Sequence, residues 1–217
     1  MRKIAASNGI ARVVPLLLTI MLDGCGIGPA EKSAPRTYLL DPEVSFKSTP
    51  ANAAGTSLGT LLVSTPRTQP GFDTPRMAYL LRPHEVSYYA INQWTDSPAR
   101  MLARLLVKAM ESTHLWNAVV QAPSPVLAHY RLDCDDLVLE QQFFSNPSRV
   151  RLALRAQLID VNRQSVMGTR DFEIFEAAPS EDAYGGVVAA NRAATTLLEQ
   201  MAGWLSAVMR DSGPQAR

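Results

Sequence analysis

The sequence predicts a single α/β domain in which a mixed sheet is packed by helices. Residues 127–175 alternate apolar and polar with a period of two, whereas the stretches after Ser97 and after Asp182 repeat apolar residues at helical spacing. Composition agrees: 47% of the 217 residues are apolar and 19% charged, as in an ordinary globular domain able to bury a core. No apolar run approaches the ~20 residues of a membrane span, and two Cys cannot make a disulfide scaffold. A formal net charge of +1 argues against nucleic-acid binding, which needs a concentrated basic surface.

The chain begins with a segment outside that domain. Arg2, Lys3 and Arg12 precede an apolar stretch from Val13 to Leu22, and small residues follow, the order of an export signal over residues 1–24. Leu22-Asp23-Gly24-Cys25 then resembles the lipobox of bacterial lipoproteins. Asp23 departs from that pattern, which favours a small or uncharged residue there. The resemblance implies cleavage before Cys25 and lipid attachment at Cys25, with palmitate among its acyl chains. The other readings of the thiol are a disulfide with Cys134 or an idle residue in a discarded signal. Each buried CH₂ of an acyl chain contributes ~0.8 kcal/mol, so two or three chains would hold the protein on a bilayer durably. Loss of residues 1–24 leaves 18 Lys+Arg against 19 Asp+Glu, so charge alone would not attach the mature body to anionic headgroups. Gly26 stands where an Asp would resemble an inner-membrane retention signal, which favours the outer membrane. Residues 25–36 read as the lipidated Cys and a flexible tether.

The domain itself is expected over residues 37–210. Residues 37–40 form a short strand candidate, and 43–55 look like a polar connection. Residues 57–64 make a strand that stops at Pro66, and 66–76, with three Pro, make a loop. Residues 77–82 and 85–90 flank Pro83-His84 as a hairpin, with His84 a solvated turn residue rather than a ligand. Ser97-Pro98 supplies a cap and a first-turn Pro for a helix whose stripe is Leu102, Leu105, Leu106, Ala109 and Met110. Residues 115–120 are a short strand or turn. The run 127–144 reads as β, but Leu132 and Cys134 have the opposite parity from Leu137 and Leu139, which requires a bulge near Asp135-Asp136. Residues 149–160 and 166–175 continue as half-buried antiparallel strands. From about Asp182, Val187, Ala190, Ala194, Leu197, Leu198, Met201, Leu205 and Val208 mark a long amphipathic helix. Its polar side lacks the Lys/Arg face of an interfacial helix, so it is expected to pack on the sheet. Residues 211–217 read as a tail.

Chemistry is sparse. Alternation places His129, Asp133 and Asp135 on the solvated side of a strand and Cys134 on the buried side, so this dense group does not converge on a metal. Gly185-Gly186 lacks the spacing of a phosphate cradle, and no nucleophile, zinc or nucleotide motif occurs. No catalytic residue, metal site or cofactor is expected. The remaining feature is aromatic: Tyr88 and Tyr89 must point to opposite faces of a strand, and Trp94 follows. Core packing is one use of Tyr88, Tyr89 and Trp94; contact with a partner is the other.

Five pieces carry a wider resemblance: Met77-Ala78-Tyr79, the stretch Val86-Ser87-Tyr88-Tyr89-Ala90-Ile91-Asn92-Gln93-Trp94 leading to Ser97-Pro98, His129-Tyr130-Arg131-Leu132, Arg155-Ala156-Gln157-Leu158-Ile159-Asp160, and Val188-Ala189-Ala190-Asn191-Arg192-Ala193. Over about two-thirds of the chain the sequence resembles the ABC-type transport auxiliary lipoproteins, also called PqiC-like. That resemblance implies an α/β layer similar to anticodon-binding or TolB N-terminal domains. It also implies a non-enzymatic, outer-membrane-tethered, periplasm-facing role beside an MCE-domain protein, with a permease and an ATPase further away, in moving lipids or other hydrophobic molecules. A homo-oligomer is compatible with it. The alternative function is an envelope lipoprotein that assists assembly of outer-membrane proteins or lipopolysaccharide.

Overall fold

The computed structural model describes residues 34–42 and 58–211. The expected signal, Cys25 with most of its tether, the polar connection 43–55 and the tail beyond Asp211 lie outside the described residues.

Strand β6 (Tyr130–Gln142) is the axis of an eight-stranded mixed sheet. Along one edge it pairs antiparallel with β7 (Arg149–Asp160), which pairs antiparallel with β8 (Ser165–Ala177). Along the other edge it holds two shorter parallel strands end to end. Strand β2 (Leu58–Val63) meets its first part, with Leu61 opposite Tyr130 and Val63 opposite Leu132. Strand β3 (Arg76–Leu80) meets its last part, with Ala78 opposite Glu140 and Leu80 opposite Gln142. Strand β5 (Trp116–Gln121) adds parallel to β2, β4 (Val86–Trp94) antiparallel to β3, and β1 (Arg36–Tyr38) parallel to β4.

The expected bulge lies where the parity argument puts it. The β6–β7 register shifts between Asp135 and Val138, and Asp136 takes a left-handed backbone with φ of 55°. Asp tolerates that region better than most residues because its short carboxylate can satisfy local backbone groups. The stretch between β2 and β3 covers the irregularity: Arg67 N–H donates to Cys134 O, Leu137 N–H to Arg67 O and Gln69 N–H to Leu137 O, at 2.9 to 3.1 Å. Its Pro-rich sequence forbids a regular strand, yet it still satisfies the β6 backbone.

Helices α1 (Pro98–Ser112) and α2 (Ala183–Asp211) cover one face of the sheet. Leu102, Leu106 and Met110 of α1 and Leu197, Leu198, Met201 and Leu205 of α2 share one buried cluster with Leu61, Leu132, Leu152 and Leu158 from the sheet. The predicted stripe of α2 is thus core. Among the described residues no helix is long and apolar enough to cross a membrane.

Three local expectations need correction. The strand expected from Leu127 starts at Tyr130, where paired register with Leu61 of β2 and Asp160 of β7 begins; His129 just before it makes single backbone bonds to Thr60 and Val161. The second hairpin strand runs past Ala90 to Trp94, where β1 supplies a new neighbour. Ser97 occupies the cap position of α1, but its buried hydroxyl makes no hydrogen bond. Asp96 does the local polar work instead, accepting from Ser97 N–H at 2.7 Å and Arg100 Nε at 2.6 Å, and these bonds hold its carboxyl below the usual range.

The bulge makes a testable demand. Deleting Asp136 would force Leu137 and Leu139 outward and should leave no cooperatively folding protein. Asp136→Gly keeps the count and relieves the left-handed backbone, so urea unfolding should show stability unchanged or raised by up to ~1 kcal/mol.

Candidate functional site

The chain enters the body through β1 and is then fastened to α2. Asn191 acts as a two-sided clasp: its Oδ1 accepts from Asp41 N–H at 2.7 Å, and its Nδ2 donates to Leu39 O at 3.3 Å and to Val187 O at 2.9 Å. The amide thereby imitates a strand neighbour for a segment that has none. Arg192, next along the helix, donates to Ala177 O and lies 3.7 Å from Glu176. Tyr38 and Tyr184 approach with ring centres 6.3 Å apart. Between segment and helix lies an open groove of about 550 Å³, lined by Asp41, Pro42, Tyr184, Val188, Asn191 and Thr195 among others. Asp182 starts α2 by accepting from Gly185 N–H at 2.7 Å, a bond that, with Ser180 Oγ, keeps its carboxyl below the usual range.

The three aromatic candidates occupy three environments. Tyr88 lies on the face of the sheet opposite the helices, in a small cluster with Phe72, Ala78 and Val138. Its hydroxyl donates to Gly71 O at 2.8 Å, and the Arg76 guanidinium sits 3.8 Å above its ring. Tyr88 therefore holds the Pro-rich loop against the sheet. Tyr89 points to the helix side, packs 4.8 Å from the Tyr79 ring and donates to Gln141 Oε1 at 3.0 Å. Desolvation, with the neighbouring Tyr79 next in weight, pushes its hydroxyl up to about 12. Trp94 is only 3% exposed and belongs to the main core. The opposite-face expectation for the Tyr pair is met.

Gln141 is the residue that the sequence reading passed over. It is buried, accepts from Tyr89 and donates to Ser148 Oγ at 3.0 Å, while Ser148 N–H donates to Glu181 Oε1 at 2.7 Å. This chain of bonds ties β4, β6, the entry of β7 and the approach to α2 into one satisfied polar unit. A Cβ on Gly186 would strike the Gln141 side chain, so that glycine admits the helix to the network. The signal was present: after the bulge, inward parity runs Leu137, Leu139, Gln141.

The acidic group disperses into separate pairs. Asp133 accepts from Ser64 Oγ at 2.6 Å and Arg131 Nε at 3.0 Å, and Asp135 pairs with Arg67 at 2.5 Å. His129 lies outside the strand expected to carry it; its Nδ1 accepts from Thr60 N–H at 3.1 Å, with the ring where a side chain on Gly59 would be. Among the described residues no three His, Cys, Asp or Glu side chains gather as a metal site. His84 stands in the β3–β4 turn, exposed, with φ of 68°. Cys134 is buried, and burial pushes its thiol up to about 12.

Comparison with known proteins adds what geometry alone does not. A family model described as the ABC-type transport auxiliary lipoprotein component matches residues 38–202. The chain belongs to that family. The match starts at Tyr38 in β1 and ends at Ala202 within α2, so it takes in the Asn191 clasp, the aromatic strand and the polar network. In fold, this family member is similar to protein XCC0632 from Xanthomonas campestris, of domain family DUF330, with a TM-score of 0.71 and 23% identity over 82% of this chain and 99% of that one. A second solved structure, of an uncharacterized protein, gives a TM-score of 0.60 at 12% identity over 79% and 99% of the two chains. Lipoprotein GNA1162 from Neisseria meningitidis is a weaker likeness, with a TM-score of 0.38 and 10% identity over 71% and 99%. No curated protein matches in sequence. The family is one of accessory lipoproteins of ABC-type transport, which gives the chain an accessory role in transport and an envelope setting.

Two expectations about this auxiliary domain follow from the geometry. Asn191→Ala removes the bonds to Leu39 and Asp41 and should lower stability by ~1–2 kcal/mol, with hydrogen exchange at Asp41 rising more than at Leu61. Cys134 should resist iodoacetamide in the native protein between pH 7 and 9 and react on unfolding. The stability contributed by keeping its thiol neutral is fully present below the unfolded value of ~8.5 and is lost as pH rises toward 12, which urea unfolding across that range measures.

Proposed function

We propose that this auxiliary lipoprotein is anchored in the outer membrane by lipid at Cys25 and serves as the docking component of an MCE-type ABC transporter that moves lipids or other hydrophobic molecules across the envelope. The observation that carries the reading is the family match over residues 38–202 lying downstream of Leu22-Asp23-Gly24-Cys25. Cys25 is the proposed lipid attachment point, residues 1–24 the removed signal, and residues 25–36 the tether. The described residues supply the rest of the argument. Asp133 and Asp135 are taken up by Ser64, Arg131 and Arg67, and the buried polar groups Gln141 and Ser148 have partners inside the fold. Transport energy and the membrane pore belong to partners, and this chain contributes a fixed body at the end of a lipid anchor.

Partner contact is assigned to the sheet face opposite the helices, where the half-buried Tyr88 ring and the Arg76 guanidinium above it combine an aromatic and a cation of the kind enriched at interface centres. Tyr89 and Trp94 act on it from the opposite side of the same strand, by fixing its position in the core.

Cys25→Ser should move the protein from the membrane to the soluble envelope fraction and abolish complementation of a deletion strain. A Cys25→Ser protein that complements fully overturns the tethered-docking reading. In crosslinked membranes the wild-type protein should recover an MCE-domain protein, and recovery of outer-membrane assembly factors in its place would favour the assembly role.

A further inference from the structure

We propose that the end of the body carrying the β3–β4 and β6–β7 turns rests on the lipid bilayer, with Leu81 and Phe144 as its apolar contact. This rests on the lipid-anchored reading above and adds which surface faces the membrane.

Register fixes the direction in which the chain leaves. β1 is parallel to β4, β4 is antiparallel to β3, and β3 is parallel to β6. β1 is therefore antiparallel to β6, and the chain before Arg36 departs toward the Gln142 end of the axial strand. Leu80 lies opposite both Val86 and Gln142, and Gln142 lies opposite Arg149, so both turns stand at that same end. The β8–α2 junction joins them, with Ala178 N–H donating to Ser148 O at 2.7 Å.

That end is capped by apolar side chains. Leu81 is 63% exposed, Phe144 is 41% exposed, and Val86 is exposed beside them. The turns are one unit rather than scattered surface residues: Phe143 N–H donates to Leu80 O at 2.9 Å, and the Phe143 ring meets Tyr79 edge-on at 6.1 Å. The charges of the β3–β4 turn, Arg82 and Glu85, pair with each other. Outward, Leu81, Val86 and Phe144 stand among exposed His84, Ser145, Asn146 and Arg149, an apolar contact with a polar rim that suits the headgroup–acyl boundary.

Length agrees with direction. Nine residues separate Cys25 from Ala34, a reach of at most ~30 Å. Thr37 and Arg76 share the level of Gln93, and Leu80 lies four residues farther along β3, ~13 Å toward the cap. The tether therefore suffices to seat the cap on the bilayer and is too short to let it wander far. The opposite end also exposes an apolar residue, Leu127 at 91%. It stands ~40 Å away along the 13 residues of β6, and a tether serving it would have to reverse and use nearly all its length beside the body.

The test uses the mature lipidated protein in phosphatidylethanolamine–phosphatidylglycerol vesicles carrying nitroxide lipid, with a thiol-linked fluorophore at Leu81→Cys, Arg82→Cys, Phe144→Cys or Leu127→Cys. Arg82→Cys keeps the cap measurable should either apolar change disturb folding. Protein that floats with the vesicles should show quenching at 81, 82 and 144 at least ~2-fold stronger than at 127. Floating protein quenched equally at both ends, or more at 127, overturns the assignment while leaving the anchor intact. Protection at 81 and 144 that grows with protein concentration without lipid quenching identifies a second copy as the occupant and also overturns it. Protein that fails to float overturns the anchor reading and this one with it.

Discussion

The extra residue at Asp136 is the constraint on which the rest of the structure depends. β6 must present Leu132 and Cys134 to the helices in its first part and Leu137 and Leu139 in its last, and strict alternation cannot do both. One left-handed residue resets the parity. It also bends the ladder enough that no single strand follows β6 along its free edge, so two short parallel strands and the Arg67–Gln69 segment share that edge. Every later element takes its place from this division. β5 joins the first short strand, and β4 with β1 joins the second.

Resetting the parity has a polar consequence. Beyond Leu139 the next inward residue is Gln141, and a buried amide without partners would cost several kcal/mol. Tyr89 and Ser148 supply those partners, and Glu181 extends the unit to the start of α2. The outward residues on either side, Glu140 and Gln142, join the charged face, where Arg151 reaches both Glu140 at 3.6 Å and Glu173 at 2.7 Å. Glu140 is itself buried, and Gln142 Nε2 donates to it at 2.8 Å beside Arg151, so its charge is compensated within the fold. Fold and polarity follow from the same single-residue shift.

Much of this was legible in the sequence because it depends on period. The three-strand meander, both helices and the bulge announce themselves through alternation and helical stripes in residues 98–208. The parallel pairings of β1, β2, β3 and β5 do not, since a five-residue apolar run carries no record of its neighbour's direction. The Asn191 clasp was invisible for a related reason: a polar residue on an amphipathic helix looks solvated until the segment it holds, 150 positions earlier, is in place. Ser97 shows the converse, a good capping sequence whose hydroxyl is enclosed by packing while Asp96 takes the exposed polar role.

α2 spans 29 residues, ~43 Å, the axial strand is of similar length, and one core joins the two along that length. At its N-terminal side the body is closed by a three-residue parallel strand and one clasping side chain. With β1 held in register against β4 and the following segment pinned to α2, residues 36–41 are fixed relative to the face that bears Tyr88.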